Sequence, residues 1–262
     1  MSSSRISKKT YTETIRMEIG SSEPWPNEVR LYQPYEDVQI LLADNSSVLS
    51  VQTFLRMCDL EYTVVMMSNA AEMSPSGKVP FIKAGKFVIA EISPIIAHAN
   101  SKGISLCKHL DMDQKADMKA YMTLVENVLG NAENFITWAD ELNFNEVTKW
   151  RYGCAHPWPL NTILTWLKRR EVLKKLKVYG YGNKTIQDVY EEVDSCCKSL
   201  SSRLGDGLFF FGDNPTELDA IVFGHLFTIV TTKLPCDGLS AIVRKYPNLE
   251  DLCSRIDRHY YG

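Results

Sequence analysis

A change of hydrophobic period near residue 100 is the feature that most constrains this chain. Before it, short β-like runs alternate with helical ones: Val29 to Gln33, a helical pattern from Ser46 to Cys58, Tyr62 to Met66, Pro80 to Lys83, Phe87 to Ala90, and a helical run from Pro94 to Asn100. That order reads βαβ followed by ββα. After Gly103 the apolar spacing is helical throughout, which predicts a small α/β domain followed by an all-helical one. With 262 residues, 45% of them apolar, the chain is long enough to bury a sizeable core.

The second half is made of amphipathic segments. Met118, Tyr121, Met122, Val125, Val128, Leu129, Ala132, Phe135, Ile136 and Ala139 recur at three- and four-residue steps and predict one long helix. A second is marked by Ile186, Val189, Val193, Cys196, Cys197, Leu200 and Leu204. Pro247 suits the first turn of a terminal helix, where its missing N–H costs nothing. Between them, Ala220, Ile221, Val222, Phe223, Leu226, Phe227, Ile229 and Val230 are apolar on nearly every side, which places that helix in the middle of its domain. Thr216 and Asp219 precede it at capping-box spacing, and replacing the buried cap is expected to cost about 1–2 kcal/mol.

Charge and cysteines exclude several function classes. A net charge of -3 gives no global attraction to nucleic acid, so none is expected as a partner. The seven cysteines, at 58, 107, 154, 196, 197, 236 and 253, show no two-residue spacing of the kind zinc ribbons and redox dithiols use. A reducing compartment fits, with Cys58, Cys196 and Cys253 acting as small apolar side chains. His98, His109, His156, His225 and His259 show no metal spacing, and His225 reads as a hydrogen-bonded core residue. Gly180, Gly182 and Asn183 read as a turn between helices. Residues 1–22 read as a flexible arm: they lack an apolar secretory core, and Glu13 and Glu18 count against a presequence. Ala220 to Thr232, the longest uncharged apolar stretch, is shorter than the roughly 20 residues of a membrane-spanning helix.

Gly77-Lys78-Val79-Pro80-Phe81 ahead of a strand, with Glu91 opening a helix, resembles the thioredoxin-like half of glutathione transferases. Phe211 to Asp219 resembles that family's capped central helix, and Tyr246-Pro247-Asn248-Leu249 its late helix. The implied fold class is α+β: an arm over 1–22, a thioredoxin-like domain over 23–102, and an all-helical C-terminal domain over 103–262. The resemblance also implies a cis Val79-Pro80 bond.

Within that architecture five ordered strings resemble metaxins, and the metaxin-two branch in particular: Glu23-Pro24-Trp25-Pro26, Met73 to Phe81, Arg151-Tyr152-Gly153, Pro157-Trp158-Pro159-Leu160-Asn161, and Pro215 to Ala220. This resemblance implies a peripheral subunit on the cytosolic face of the mitochondrial outer membrane, within the sorting and assembly machinery. Its implied partners are another metaxin, the outer-membrane β-barrel insertase and mitochondrial transport adaptors. No cofactor is implied.

An active glutathione transferase or peroxidase is the competing reading, and it would need a hydroxyl or cysteine at the start of the first helix to hold a thiolate. Ser46 and Ser47 are the candidates, but Asp44 and Asn45 just before them are natural N-caps, so capping is the favoured role for this segment. The transferase pattern follows its acidic residue with a serine that hydrogen-bonds the γ-glutamyl carboxylate, whereas Glu91 is followed by Ile92, which offers no donor and would leave that carboxylate without its partner. The positions Ser46, Ser47, Val79, Pro80, Glu91 and Ile92 therefore read as a vestigial glutathione site. The loop from Pro34 to Ala43, with Val38, Ile40 and Leu42 alternating, is expected to add a strand or cover the cleft.

One local basic cluster remains: Lys168, Arg169, Arg170, Lys174, Lys175 and Lys177, opposed only by Glu171 and interleaved with Ile163, Leu164, Trp166, Leu167, Val172, Leu173 and Leu176. Two readings stand, a core-packed helix with a solvated basic face and a contact for a membrane or acidic partner. Trp158, next to Pro159, is likewise either a packed core ring or an anchor for a partner.

Overall fold

The computed structural model describes residues 24–262, so the arm expected over 1–22 lies outside the described residues. A four-stranded sheet occupies the first part: β1 (Val29–Gln33), β2 (Thr63–Met66), β3 (Phe81–Ala84) and β4 (Phe87–Ala90), in spatial order β2-β1-β3-β4. β1 pairs in parallel with β2 and antiparallel with β3, and β3 pairs antiparallel with β4. α1 (Leu42–Met57) makes the crossover between the parallel pair, a short α2 (Ala70–Met73) follows β2, and α3 (Ile92–Ser101) follows β4. Each strand lies within one residue of the expected run, and β1 buries alternate side chains: Val29, Leu31 and Gln33 are buried while Arg30 is exposed.

The remainder is helical: α4 (Met112–Trp138), α5 (Glu141–Asn143), a π-helical turn (Phe144–Thr148), α6 (Lys149–Gly153), α7 (Leu160–Val178), α8 (Ile186–Leu204), α9 (Glu217–Thr231), α10 (Gly238–Val243) and α11 (Pro247–Tyr260). The expectation of an added strand over Pro34 to Ala43 is not met. Residues 34–41 form a turn-containing loop, and Leu42 already belongs to α1. Ile40, Leu41 and Leu42 alternate nothing, because all three are buried against one or other core.

Two apolar cores meet at α1. Val48, Val51, Phe54 and Leu55 face the sheet core with Leu31, Ile82 and Ile95. Leu42 faces the helical core, which is built around Leu129, Phe223 and Leu226. α9 is buried along almost its whole length, as its apolar circumference requires. Its Ala220 reaches across into the sheet core.

The cap of α9 does more than the sequence promised. Asp219 Oδ2 accepts from the Thr216 backbone N–H at 2.8 Å and the Thr216 hydroxyl at 2.7 Å, and Oδ1 accepts from the Phe210 N–H at 3.1 Å. One buried carboxylate thus fixes the helix start and the loop before it. Burial pushes its pKa up to about 6, against the lowering effect of those hydrogen bonds.

Candidate functional site

The vestigial positions divide between a closed joint and an open rim. α1 begins at Leu42, four residues earlier than the apolar spacing suggested, and its N-cap, Leu41, gives no side-chain hydrogen bond. The assignment of Asp44 and Asn45 as N-caps is therefore wrong: both lie inside the helix, because Leu41 and Leu42 are recruited into the helical core and pull the start forward. Asp44 is partly covered, and burial raises its pKa to about 6, with Lys168 pulling the other way.

Ser46 is consequently one turn inside the helix and fully buried. Its hydroxyl lies 3.0 Å from the Leu42 carbonyl and 2.8 Å from Oε1 of Glu133, on α4. The same Oε1 is 2.8 Å from Nδ1 of His225, on α9. Burial alone would lower the His225 pKa, but the Glu133 carboxylate overrides it and raises the value above the usual imidazole range. Ser46, Glu133 and His225 thus tie α1, α4 and α9 together in the interior. A thiolate brought to this hydroxyl would stand beside the Glu133 carboxylate, so the arrangement repels the charge a transferase must stabilise.

Ser47 is half-buried and bonds only to the Ala43 carbonyl of its own helix, at 3.0 Å. Ser50 and Thr53 bond back in the same way, to the Ser46 and Leu49 carbonyls. These small side chains satisfy themselves and leave a shallow surface on which α9 lies close. At Gly224 a methyl group would sit 2.0 Å from Ser50 Oγ, 2.6 Å from Ser50 N and 2.7 Å from the Ser46 carbonyl oxygen. The backbones of the two domains touch where a side chain would separate them.

At the rim, the Val79-Pro80 bond is cis, as the resemblance implied. Val79 and Pro80 are buried beneath β3. Glu91 takes φ 68°, and its side chain, 40% exposed, forms an ion pair with Lys78. Ile92 packs into both cores and supplies no donor, while Ser93 is exposed. Facing this rim from α4, Glu126 is pushed up by burial, with His225 and Lys78 lowering it and Glu91 raising it.

Cysteine chemistry fares no better. Burial pushes Cys58, Cys196 and Cys253 up to about 12, the opposite of an activated thiol. Cys58 is only half-covered, so its role as a buried apolar side chain holds less well than for Cys196 and Cys253. Among the described residues no group of three or more His, Cys, Asp or Glu side chains is placed to hold a metal ion.

The basic cluster lies on α7, where its members separate into two jobs. Glu171 sits between Lys168, at 3.4 Å, and Lys175, at 2.5 Å. Arg169 turns inward: it donates to the Trp138 carbonyl at 3.0 Å, pairs with Glu141 at 2.6 Å, and lies over the Phe144 ring. Arg170, Lys174 and Lys177 are exposed, and none has an ion pair among the described residues. The core-packed reading of this helix accounts for only some of its interleaved apolar residues. Val172 and Leu176 are buried, but Ile163, Trp166, Leu167 and Leu173 face solvent. Internal packing of Trp158 is likewise excluded, since 82% of the residue is exposed.

Glu133 and Gly224 escaped the sequence reading. Glu133 had a legible signal, a lone charge among Leu129, Ala132 and Ile136 at buried-face spacing. Gly224 had only its presence inside an apolar helix.

Comparisons with known proteins agree with this architecture. The family model described as "Glutathione S-transferase N-terminal domain" matches residues 46–143, and "Glutathione S-transferase, C-terminal domain" matches residues 193–256. Metaxin-2 of Mus musculus is 51% identical over 249 residues, 95% of each chain. The Metaxin-2 homolog of Caenorhabditis elegans is 36% identical over 89% of this chain and 100% of its own length. Metaxin-1 of Mus musculus is 34% identical, covering 81% of this chain and 69% of that protein. Among solved structures, the beta-etherase LigF from Sphingobium sp. strain SYK-6 superposes with a TM-score of 0.58 at 15% identity, covering 87% of this chain and 94% of that one. A glutathione S-transferase I bound with lactoylglutathione gives 0.55 at 13% identity, covering 87% and 93%. These structural likenesses concern the fold alone.

Proposed function

The chain belongs to the metaxin family, and from that premise we propose that it is a non-enzymatic subunit of the sorting and assembly machinery of the mitochondrial outer membrane. In this reading it sits peripherally on the cytosolic face, pairs with another metaxin, and serves the β-barrel insertase, with attachment of the organelle to transport adaptors as a further use of the same surfaces. The observation that carries the non-enzymatic part is the Ser46 hydroxyl, which is buried and directed into the Glu133 carboxylate where a transferase would present a donor to sulfur. The ion pair of Glu91 with Lys78 and the apolar Ile92 support it, since neither offers the γ-glutamyl group of glutathione a free donor. No helix among the described residues is long and apolar enough to cross a membrane, which is in keeping with peripheral association.

Two measurements test the proposal. Calorimetric titration with glutathione, paired with a thiol-conjugation assay, is expected to show neither millimolar binding nor turnover; turnover would overturn the non-enzymatic reading. Affinity isolation of the full chain from mitochondria in gentle detergent is expected to recover a second metaxin together with the insertase. Recovery of the chain alone would overturn the assembly reading.

A further inference from the structure

α7 carries two stripes. The inner one, Thr165, Arg169, Val172 and Leu176, advances in steps of four, three and four and packs toward the helical domain. The outer one, Leu160, Ile163, Leu167, Arg170, Lys174 and Lys177, advances in alternating steps of three and four along the opposite side, and all six residues are exposed. Its first half is entirely apolar and its second half entirely basic. A solvated basic face on a core-packed helix accounts for the second half only. The apolar half is extended by two tryptophans: Trp158, which leads into the helix, is 82% exposed, and Trp166 is 58% exposed.

The geometry points to this surface as a docking site for an anionic lipid bilayer, with the tryptophan end entering the interface and Arg170, Lys174 and Lys177 lying along the headgroups. Three features favour a bilayer over a protein. Tryptophan rings that project from the surface need a medium that shapes itself to them, and the membrane interface is where such amphipathic rings settle. The stripe spans 18 residues of helix, about 25 Å from first to last, along which its composition changes from apolar to basic as the depth profile of a tilted interfacial helix requires. Finally, the only carboxylate within the cationic run, Glu171, is consumed by Lys168 and Lys175, so the outward cations keep their charge for phosphate. The inference deepens the peripheral placement proposed above and does not depend on the fate of glutathione.

The test is sedimentation of the full chain with vesicles of phosphatidylcholine alone and of phosphatidylcholine with about 20% phosphatidylserine, alongside tryptophan emission. Binding is expected to anionic vesicles only, to weaken with added salt, and to shift emission to the blue. R170Q/K174Q/K177Q is expected to lower partitioning about fivefold per cation, hence about 100-fold together. Trp158→Ala is expected to lower it with an unchanged circular dichroism spectrum, and Leu167→Ser provides the same test should Trp158→Ala misfold. K168Q/K175Q, which removes cations already paired, is expected to have a much smaller effect than the triple variant. No binding, equal binding to neutral and anionic vesicles, or binding unmoved by these variants overturns the proposal. If the chain ignores vesicles but the same variants abolish recovery of a second metaxin, the surface belongs to a protein; the lipid proposal then fails while the assembly function stands.

Discussion

Ser46→Ala distinguishes a structural serine from a catalytic one. Removing a catalytic hydroxyl costs activity and leaves the fold intact or firmer. Here the hydroxyl is buried and donates to a carboxylate at 2.8 Å, so its removal loses a charge-assisted hydrogen bond of about 1.5–3 kcal/mol. The better helix propensity of alanine returns about 0.5 kcal/mol. Glu133 Oε1 keeps His225, which prevents the larger penalty of a fully orphaned charge. The net expectation is a loss of about 1–2.5 kcal/mol, or a fall in Tm of about 2–8 °C for a chain of this size. The control is Ser47→Ala, whose hydroxyl bonds only within its own helix turn and whose loss is expected to be within about 0.5 kcal/mol. Urea unfolding at fixed pH measures both, with an unchanged m-value required for the comparison. If Ser46→Ala is as stable as the parent, or if it removes a glutathione-dependent activity, the account of the joint is wrong.

Three further outcomes follow from the same interior. Gly224→Ala places a methyl group 2.0–2.7 Å from Ser50 and Ser46 atoms, two of them backbone, so it is expected to cost at least about 3 kcal/mol and to lower soluble yield; full recovery of wild-type Tm would show that the two helices part easily. Asp219→Ala orphans two buried N–H groups and a hydroxyl, with an expected loss of about 3–5 kcal/mol by urea unfolding, whereas a loss under 1 kcal/mol would reduce Asp219 to an ordinary cap. Asp44, with a pKa raised to about 6 from 3.8, binds its proton more tightly when folded, so its contribution is most favourable below about pH 4 and declines as pH rises through 6. Asp44→Asn should therefore flatten the stability profile between pH 4 and 6 and raise stability at pH 7.5; an unaltered profile would reject the shift.

The strands and long helices were legible because their apolar residues repeat at two fixed periods. Val29, Leu31 and Gln33 alternate, and Val189, Val193, Cys196, Cys197, Leu200 and Leu204 follow one helical face. The start of α1 was not, since Leu42 enters the helix, with Leu41 as its cap, for the sake of a core contributed by residues nearly a hundred positions later. That is a tertiary demand, and it turned two apparent caps into interior residues. The helical character of 141–153 was expected, but its division into pieces was not legible for a related reason: three short pieces, one of them π-helical, never establish a period. The orientation of α7 failed differently. The sequence showed its basic and apolar residues interleaved, but interleaving does not say which side is in, and here the side holding Trp166 and Leu167 was out.

These misreadings converge on one physical point. A transferase of this architecture needs its thiol-binding hydroxyl at an accessible helix start, in a cleft between two domains. In this chain the helix start has moved, the hydroxyl is inside, and the two domains meet through Ser46, Ser50 and Gly224 at backbone distance. Opening a cleft there would expose Glu133, His225 and the close-packed α1–α9 contact together, and the loss of those interactions would have to be repaid by a bound tripeptide. Exposed tryptophans on α7 and just before it, by contrast, cost the fold nothing to engage. The molecule has a rigid joint where a catalytic site would need access and unpartnered apolar surface where a peripheral subunit would need contact, which is why surfaces are the place to look for its work.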